Sequence, residues 1–229
     1  MSTIIAIETS TELASAALLH DGQMLTREIS GVQTHSQTIL PMVQSLLSQA
    51  GIALEQCGAV AFGAGPGSFT GVRTACGVAQ GLAFGLDLPV VPIVTLEAMA
   101  EACRGATGAD DVLTILDARM GEVYWAQYRF DGEWRTMIAP TLSLPAAVVP
   151  ADHVTACGNG IAAYPSVFEG TPFAANARQE IAPHAAQVAR LACIALAQGK
   201  AVQARDAQPI YLRNKVALTS SERMAKVGM

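Results

Sequence analysis

Residues 3–11 read TIIAIETST, an apolar run rich in β-branched residues that stops at a carboxylate, Glu8, and a polar turn. Such a run predicts a buried strand. Leu13 to Leu19 and Met24 to Ile29 are predicted to continue as strands, joined by a hairpin turn at Asp21-Gly22. The chain is therefore predicted to open with an antiparallel meander of three strands.

The same pattern returns in the second half of the chain. Val112 to Leu116 is apolar and ends at Asp117, and the next predicted strands are Val123 to Phe130 and Glu133 to Ile138, joined by Asp131-Gly132. In both halves a strand ends in a carboxylate and a hairpin closes on Asp-Gly. The repetition favours a duplicated α/β unit; chance similarity of two meanders is the alternative.

Helices and further strands follow each meander. Ser36 to Ala50 carries its apolar residues on one face, with Ser36 as the expected N-cap and Gly51 as the stop. The other predicted segments are the strand Ala59–Phe62, a helix from the glycine-rich segment after it to about Leu86, the strand Val90–Val94, the helix Leu96–Cys103, a linker Arg104–Asp110, the strand Val154–Cys157 and the helix Pro183–Gln198.

Composition excludes several classes of protein. The chain has 229 residues, of which 51% are hydrophobic and 14% charged, so it can bury a large core and disorder is not expected. A net charge of −5 argues against a general nucleic-acid-binding surface. We expect no membrane span and no signal peptide, and five scattered cysteines predict reduced thiols in a cytoplasm. No histidine pair has helical spacing, so no metal site is predicted.

The strongest local motif is GPGSFTGVR at residues 65–73. A glycine-rich turn before a helix can hold a phosphate through free N–H groups and the helix dipole. The motif lacks the Lys-Ser/Thr pair of a P-loop, however, and a proline removes one N–H donor. The competing interpretation is a structural loop in which glycines allow tight turns and Ser68 or Thr70 caps the helix. Its residues are Gly65, Pro66, Gly67, Ser68 and Thr70.

Glu8 and Asp117 end equivalent strands, and a nucleotide-binding fold would place such carboxylates at a cleft, facing a magnesium-bound phosphate. Neither is followed directly by the glycine that a phosphate turn favours. The candidates for nucleotide or anion contact are Thr9, Ser10, Asp117, Arg119 and Gly158. No GxSxG motif is present and Ser68 has no base near it in the sequence, so no catalytic residue is assigned.

Two stripes of small residues follow the loop. One stripe repeats every four residues and consists of Gly71, Ala75, Ala79 and Ala83. The other consists of Gly77, Gly81 and Gly85. Glycine in a helix interior is about 1 kcal/mol less favourable than alanine, so another helix is expected to pack closely against these small residues. The packing partner is either the protein's own helix 36–50 or a second subunit. The residues expected at a subunit interface are Ile39, Val43, Leu46, Gly71, Ala75, Ala79 and Ala83.

Taken together, five motifs resemble the bacterial TsaB (YeaZ) family. They are IAIETST at 5–11, GPGSFTGVR at 65–73, DARMGEVY at 117–124, GNG at 158–160 and PIYLR at 209–213. The second is the most specific of them, and the resemblance covers residues 3 to about 215. One departure is Glu8, where the family more often has Asp, and the longer side chain weakens any magnesium role there.

The resemblance implies a duplicated actin-like fold of the hsp70/sugar-kinase type, with two lobes that each contain a mixed sheet and flanking helices. The expected lobes are residues 1–104 and 105–204, followed by a C-terminal segment, 205–229, that packs back on the first lobe and ends in a frayed tail. The resemblance also implies a non-catalytic scaffold for TsaD. That enzyme transfers a threonylcarbamoyl group from threonylcarbamoyl-AMP to N6 of adenosine 37 in tRNAs that read ANN codons.

The expected partners are TsaD in a heterodimer, the ATPase TsaE, and a second copy of the chain when TsaD is absent. Contact with tRNA is expected only through the complex. No cofactor or metal is required by the chain itself, and ATP or ADP is allowed at the complex interface. Three alternatives stay open, namely an ATPase or kinase of the same fold, a degenerate nucleotide-binding regulator, and a serine peptidase acting on a partner.

Overall fold

The computed structural model describes residues 3–30 and 35–213. The strands are β1 (Ile4–Glu8), β2 (Leu13–His20), β3 (Gln23–Ser30), β4 (Ala59–Gly65), β5 (Val90–Val94), β6 (Asp111–Arg119), β7 (Glu122–Phe130), β8 (Trp134–Ser143) and β9 (Thr155–Cys157). The helices are α1 (His35–Ala50), α2 (Phe69–Phe84), α3 (Thr95–Thr107), α4 (Gly160–Ala163), α5 (Pro165–Phe168) and α6 (Ala185–Ala197).

The first sheet has the strand order β3-β2-β1-β4-β5, in which the opening meander is antiparallel and β1, β4 and β5 run parallel. Every residue of β1 is buried, because helices cover both faces of the sheet. Ile5 and Ile7 face α1 and α2, while Ile4 and Ala6 face α6. Burial on both faces explains why the strand is apolar without alternation.

The second sheet repeats this plan in a shorter form. Its order is β8-β7-β6-β9, with an antiparallel meander and β9 parallel to β6. A single parallel bridge from Cys157 to Arg178 stands where the first sheet has its fifth strand. The two matching mixed sheets confirm the predicted duplication of an α/β unit.

Two helices cross between the lobes. α3 follows the first sheet in sequence, yet its Leu96, Met99 and Cys103 pack in one cluster with Val112 and Leu116 of the second sheet. α6 follows the second sheet, yet its buried face packs on the first. Each lobe therefore contributes a helix to the core of the other. The predicted boundary at residues 104/105 lies within α3, and both lobe boundaries stay predictions.

Several predicted ends of elements need correction. α1 begins at His35, so Ser36 lies in its first turn and is not the N-cap. α3 continues through most of the predicted linker and ends before Gly108, whose φ of 75° is left-handed. α6 begins at Ala185 after His184, whose Nδ1 accepts the backbone N–H of Ala186 at 3.1 Å. The predicted helix start at Pro183 was therefore two residues too early. The predicted frayed tail beyond residue 213 lies outside the described residues.

In the described part of the chain, no helix combines the length and apolar character needed to cross a membrane.

Candidate functional site in the cleft between the lobes

A cleft of about 1020 Å³ separates the two lobes. Its walls come from the β1–β2 turn, the start of α2, the β6–β7 turn, the loop after β9 and residues 210–213. The ends of both central strands therefore meet at this cleft, as the sequence repeat suggested. The two turns that follow those strands differ in what they offer to a ligand.

Glu8, at the end of β1, lies beneath its turn and not in the cleft. Its side chain is fully buried, with Oε1 accepting the backbone N–H of Ser10 at 2.6 Å and Oε2 accepting the Thr95 hydroxyl at 3.2 Å. A Cβ on Gly63 would lie 1.8 Å from Oε2, so only glycine leaves room for this carboxyl. Burial raises the pKa of Glu8, and hydrogen bonds from Ser10 and Thr95 oppose that rise. This arrangement does not fit a magnesium ligand.

The glycine-rich loop packs directly on the β1–β2 turn. The backbone N–H of Ser68 donates to the carbonyl of Ser10 at 2.7 Å, and the Thr9 hydroxyl donates to the carbonyl of Gly71 at 2.7 Å. A Cβ on Gly67 would lie 2.5 Å from the Ser10 Cβ, and one on Gly71 would lie 1.9 Å from the Thr9 carbonyl oxygen. The protein's own backbone thus fills the space beside this turn, which favours the structural interpretation of the loop.

Each conspicuous residue of the loop has a structural task. Gly65 has a φ of 98°, which favours glycine, and it precedes Pro66 through a cis peptide bond. The Gly65 N–H donates to the Thr95 hydroxyl at 3.1 Å. Ser68 is the N-cap of α2, accepting the Gly71 N–H at 3.4 Å, whereas the Thr70 carbonyl accepts the Thr74 hydroxyl at 3.0 Å. Of the two predicted caps, Ser68 is therefore the one used.

The β6–β7 turn, in contrast, is open to the cleft. Asp117 accepts the backbone N–H of Arg119 at 2.8 Å and the Tyr164 hydroxyl at 2.9 Å through the same oxygen, Oδ1. Its Oδ2 lies 3.2 Å from the Arg119 guanidinium. The Asp117 N–H donates to the side-chain carbonyl of Asn159 at 3.0 Å. Asp117, Arg119 and Asn159 all line the cleft.

Both arginines that line the cleft are paired with carboxylates. Arg119 reaches across the cleft to Glu12 of the first lobe at 2.8 Å. Arg213 binds Glu122 at 2.5 Å and donates to the carbonyl of Arg119 at 3.3 Å, which fixes the second turn. A phosphate entering the cleft would have to displace these carboxylates, and Glu180 adds another acidic group to the wall.

The five residues expected to contact an anion divide into two groups. Ser10, Asp117 and Arg119 line the cleft. The Thr9 side chain is buried in its bond to the loop. Gly158 has a φ of 107°, and a Cβ there would lie 2.2 Å from the carbonyl oxygen of Ile115, so close packing explains this glycine. Sequence reasoning missed three polar residues of the wall, Glu12, Asn159 and Arg213, whose partners are distant in the chain.

The seven residues expected at a subunit interface face the protein's own core. All are buried, on the sides of α1 and α2 that cover the first sheet: Ile39, Val43, Leu46, Gly71, Ala75, Ala79 and Ala83. The structure corrects this assignment, because a partner can reach only the exposed sides of these helices. Those sides carry Leu40 on α1 and Arg73, Gly77, Gly81 and Phe84 on α2.

Two kinds of catalytic arrangement are relevant to the described residues, a metal site and a serine–histidine pair. Within residues 3–30 and 35–213, no group of three His, Cys, Asp or Glu side chains could hold a metal ion. The hydrogen bonds of the same residues include none between a serine hydroxyl and a histidine. The Ser68 hydroxyl is instead occupied at the helix cap.

Comparison with known proteins places this geometry in a family. A family model described as TsaD, tRNA N6-adenosine threonylcarbamoyltransferase, matches residues 22–220. The tRNA threonylcarbamoyladenosine biosynthesis protein TsaB of Escherichia coli K12 is 40% identical, over 93% of this chain and 96% of that protein. Its namesake from Haemophilus influenzae is also 40% identical, over 93% and 94%.

A solved structure agrees with these relatives. YeaZ from Pseudomonas aeruginosa is 41% identical and superposes with a TM-score of 0.86, over 93% of this chain and all of that chain (100%). With the two mixed sheets and the TsaD-type domain, the expected actin-like fold is confirmed. The identity extends over nearly the full length of each relative, and on these grounds the chain belongs to the TsaB (YeaZ) family.

Proposed function

We propose that this chain is a non-catalytic subunit in the biosynthesis of threonylcarbamoyladenosine in tRNA, and that it acts by binding and supporting TsaD. It works in the cytoplasm, joins TsaE through the complex, contacts tRNA only through the complex and requires no cofactor of its own. ATP or ADP would be bound at the complex interface. The names of the E. coli and H. influenzae relatives support the pathway.

One observation carries the non-catalytic part of the proposal. The turn after β1, where an actin-like enzyme would be expected to approach a phosphate, is filled by the chain's own residues 65–71. Gly67 and Gly71 lie so close to the turn that even a methyl group would not fit. The carboxyl of Glu8 is buried beneath the same turn, away from any ligand. A first turn that packs against the chain's own loop and whose carboxylate is buried is better suited to a structural role than to phosphoryl or acyl transfer.

The exposed sides of α1 and α2 are the proposed partner surface. Gly77 and Gly81 lie on the exposed side of α2, and a Cβ on either would have nothing within 4 Å. Packing inside this chain therefore does not account for these glycines, although each is about 1 kcal/mol less favourable than alanine in a helix. Leu40 and Phe84 are 42% and 74% exposed on the same two helices. A second copy would use this surface when TsaD is absent.

A matched pair of substitutions tests the surface. Gly81→Leu places a bulky side chain on the exposed side of α2, and Gly105→Leu does the same on α3, where a Cβ also meets nothing within 4 Å. Because both positions are open, the melting temperature of either variant should not fall. Overpacking at a close contact typically costs about 1–3 kcal/mol, so Gly81→Leu should weaken TsaD binding roughly 5- to 150-fold.

Sedimentation of each variant alone and mixed with TsaD makes the measurement. Gly105→Leu should bind TsaD as the unmodified chain does. Equal binding by both variants would move the interface away from α2. Failure of the unmodified chain to bind TsaD at all would remove the scaffold function itself.

A further inference from the structure

Arg73 lies on the exposed side of α2 in a cluster of aromatic rings. Its guanidinium carbon lies 3.6 Å from the centroid of the Phe69 ring and 5.5 Å from that of Tyr211. Its Nε–H donates to the Tyr211 hydroxyl at 2.8 Å, and the two rings lie 5.9 Å apart. The guanidinium is therefore fixed in place although the residue is exposed, so little side-chain entropy remains to be lost when it binds.

The outer end of this guanidinium has no partner among the described residues. Neither terminal nitrogen of Arg73 makes a hydrogen bond or an ion pair there. Arg119, another exposed arginine, differs in that its guanidinium pairs with the carboxylates of Glu12 and Asp117. With Nε already used, the two terminal NH₂ groups form a fork that points outward and matches two oxygens of one acceptor.

We propose that this fork binds a carboxylate side chain presented by the partner subunit, which makes Arg73 the central polar anchor of the partner surface. The inference rests on the proposed function and adds the chemistry of the contact. A carboxylate fits better than a nucleotide phosphate, because a single guanidinium balances one negative charge. A polyphosphate is usually held by several cations or backbone N–H groups, whereas the side chains around the Arg73 guanidinium are the rings of Phe69 and Tyr211.

The neighbouring residues on α2 favour a partner helix. Gly77 and Gly81 follow Arg73 at intervals of four residues, so the three share one side of the helix. The open space above both glycines lets a partner backbone approach closely, which brings a short Asp or Glu side chain within reach of the fork. Phe84 lies at the far end of the same side and is 74% exposed. Buried arginine and aromatic side chains are the residues that most often dominate binding energy at interfaces.

A purely internal role is the competing explanation, since Arg73 also ties Tyr211 to α2. Three substitutions separate the two roles. Arg73→Gln removes the charge and the fork, Arg73→Lys keeps the charge and removes the fork, and Tyr211→Phe removes only the internal hydrogen bond. Arg190→Gln is the matched control, because Arg190 is an exposed arginine on α6, which packs on the opposite face of the first sheet.

Titration calorimetry with TsaD, in the absence of nucleotide, gives the readout. Arg73→Gln should weaken binding roughly 10- to 100-fold, as truncation of an interface anchor does. Arg73→Lys should lose most of the same affinity because an ammonium cannot make the bidentate contact. Tyr211→Phe should lose about 3-fold or less, and Arg190→Gln should bind like the unmodified chain. Melting temperatures of the free variants show whether each is folded. If Arg73→Gln does not fold, the TsaD affinity of Arg73→Lys tests the proposal instead.

Three results would overturn the inference. Equal binding of TsaD by the unmodified chain and both Arg73 variants would leave the proposed function intact and remove this contact. If the calorimetry were repeated with ATP or ADP and the Arg73 variants bound TsaD more weakly than the unmodified chain only under that condition, the fork would be assigned to a phosphate. No binding by the unmodified chain would remove the proposed function and this inference together.

Discussion

The turns after β1 and after β6 share one local hydrogen bond but differ in how the rest of the chain packs around them. In each, a carboxylate accepts the backbone N–H two residues on, at 2.6 Å for Glu8, which ends β1, and at 2.8 Å for Asp117, two residues before the end of β6. Glu8 is fully buried against Gly63 and Thr95, whereas Asp117 stays at the cleft beside Tyr164 and Asn159. A repeated sequence pattern thus produced the same local hydrogen bond twice, and contacts from distant segments decided which of the two carboxylates faces the cleft.

The difference traces to where the glycines pack. In the first lobe Gly67 and Gly71 pack on residues 9 and 10, the turn itself. In the second lobe Gly158 and Gly160 pack on Ile115, within the strand and ahead of the turn. In both lobes a glycine lets one backbone segment approach another. In the first lobe this packs a loop against the turn, and in the second lobe it leaves the turn free of such a contact.

The largest effect is expected when the closed turn is forced open. Gly71→Ala would place a Cβ 1.9 Å from the Thr9 carbonyl oxygen, and both groups belong to backbone that cannot yield cheaply. We expect a loss of about 3 kcal/mol or more in unfolding free energy, which lowers the melting temperature by roughly 6–12 °C. Thermal unfolding followed by circular dichroism measures it.

Gly77→Ala, on the same helix, is the control for that substitution. A Cβ there meets nothing within 4 Å, so the change should stabilise the isolated chain by about 1 kcal/mol. If Gly71→Ala were as well tolerated as Gly77→Ala, the turn would not be closed by this contact.

A second prediction concerns the pH dependence that the buried carboxyl imposes. Because burial raises the folded pKa of Glu8 above the ordinary value of 4.5, the folded chain holds this proton to a higher pH than the unfolded chain does. The protonated Glu8 contributes fully to stability below about pH 4.5, and this contribution falls as the pH rises toward the folded pKa. Glu8→Gln keeps the shape of the side chain and has no proton to lose, so its stability should not carry this loss.

Denaturant unfolding of both chains from pH 5 to pH 9 checks the sign. The stability of the unmodified chain should fall relative to Glu8→Gln by up to about 1.4 kcal/mol per pH unit until the folded pKa is reached. Glu169→Gln, on the surface, controls for the loss of one carboxyl. Parallel profiles for the unmodified chain and Glu8→Gln would mean that burial does not raise the pKa of Glu8 in the folded chain.

The smallest effect is expected at the open turn. The side chains of Arg119 and Glu12 are 72% and 86% exposed, and an exposed ion pair contributes about 0–1 kcal/mol. Arg119→Ala should therefore lower the melting temperature by no more than about 4 °C, and adding Glu12→Ala should not lower it by the same amount again. A loss several times larger would show that the lobes are held together by this pair across the cleft.

Much of the fold could be predicted because short-range sequence patterns determine many of its strands and helices. Strand β1, helix α1 and the repeat that begins at Val112 follow from apolar periodicity and Asp-Gly turns. The short helices α4 and α5 were not predicted, since four residues carry too little periodicity to be recognised. The crossing of α3 and α6 between lobes could not be predicted either, because an apolar helix face does not specify which sheet it covers.

The candidate site was predicted less well, for a related reason. Ser10, Asp117 and Arg119 were assigned to the cleft because the sequence places them at or just after the predicted strand ends, and position along a strand is local information. The environment of Glu8 depends on Gly63 and Thr95, which are far away in the chain. The stripe of Gly71, Ala75, Ala79 and Ala83 on α2 was assigned to a subunit interface but is buried inside the chain, since a stripe of glycine and alanine fits an internal sheet as well as a partner helix.

The central claim is that this chain supports a transferase and does not transfer the group itself. Unmodified tRNA and threonylcarbamoyl-AMP are incubated with this chain alone, with TsaD alone and with both, and the modified adenosine is measured by mass spectrometry after digestion. The account predicts no modified adenosine from this chain alone and more from the mixture than from TsaD alone. Modified adenosine formed by this chain without TsaD would contradict it.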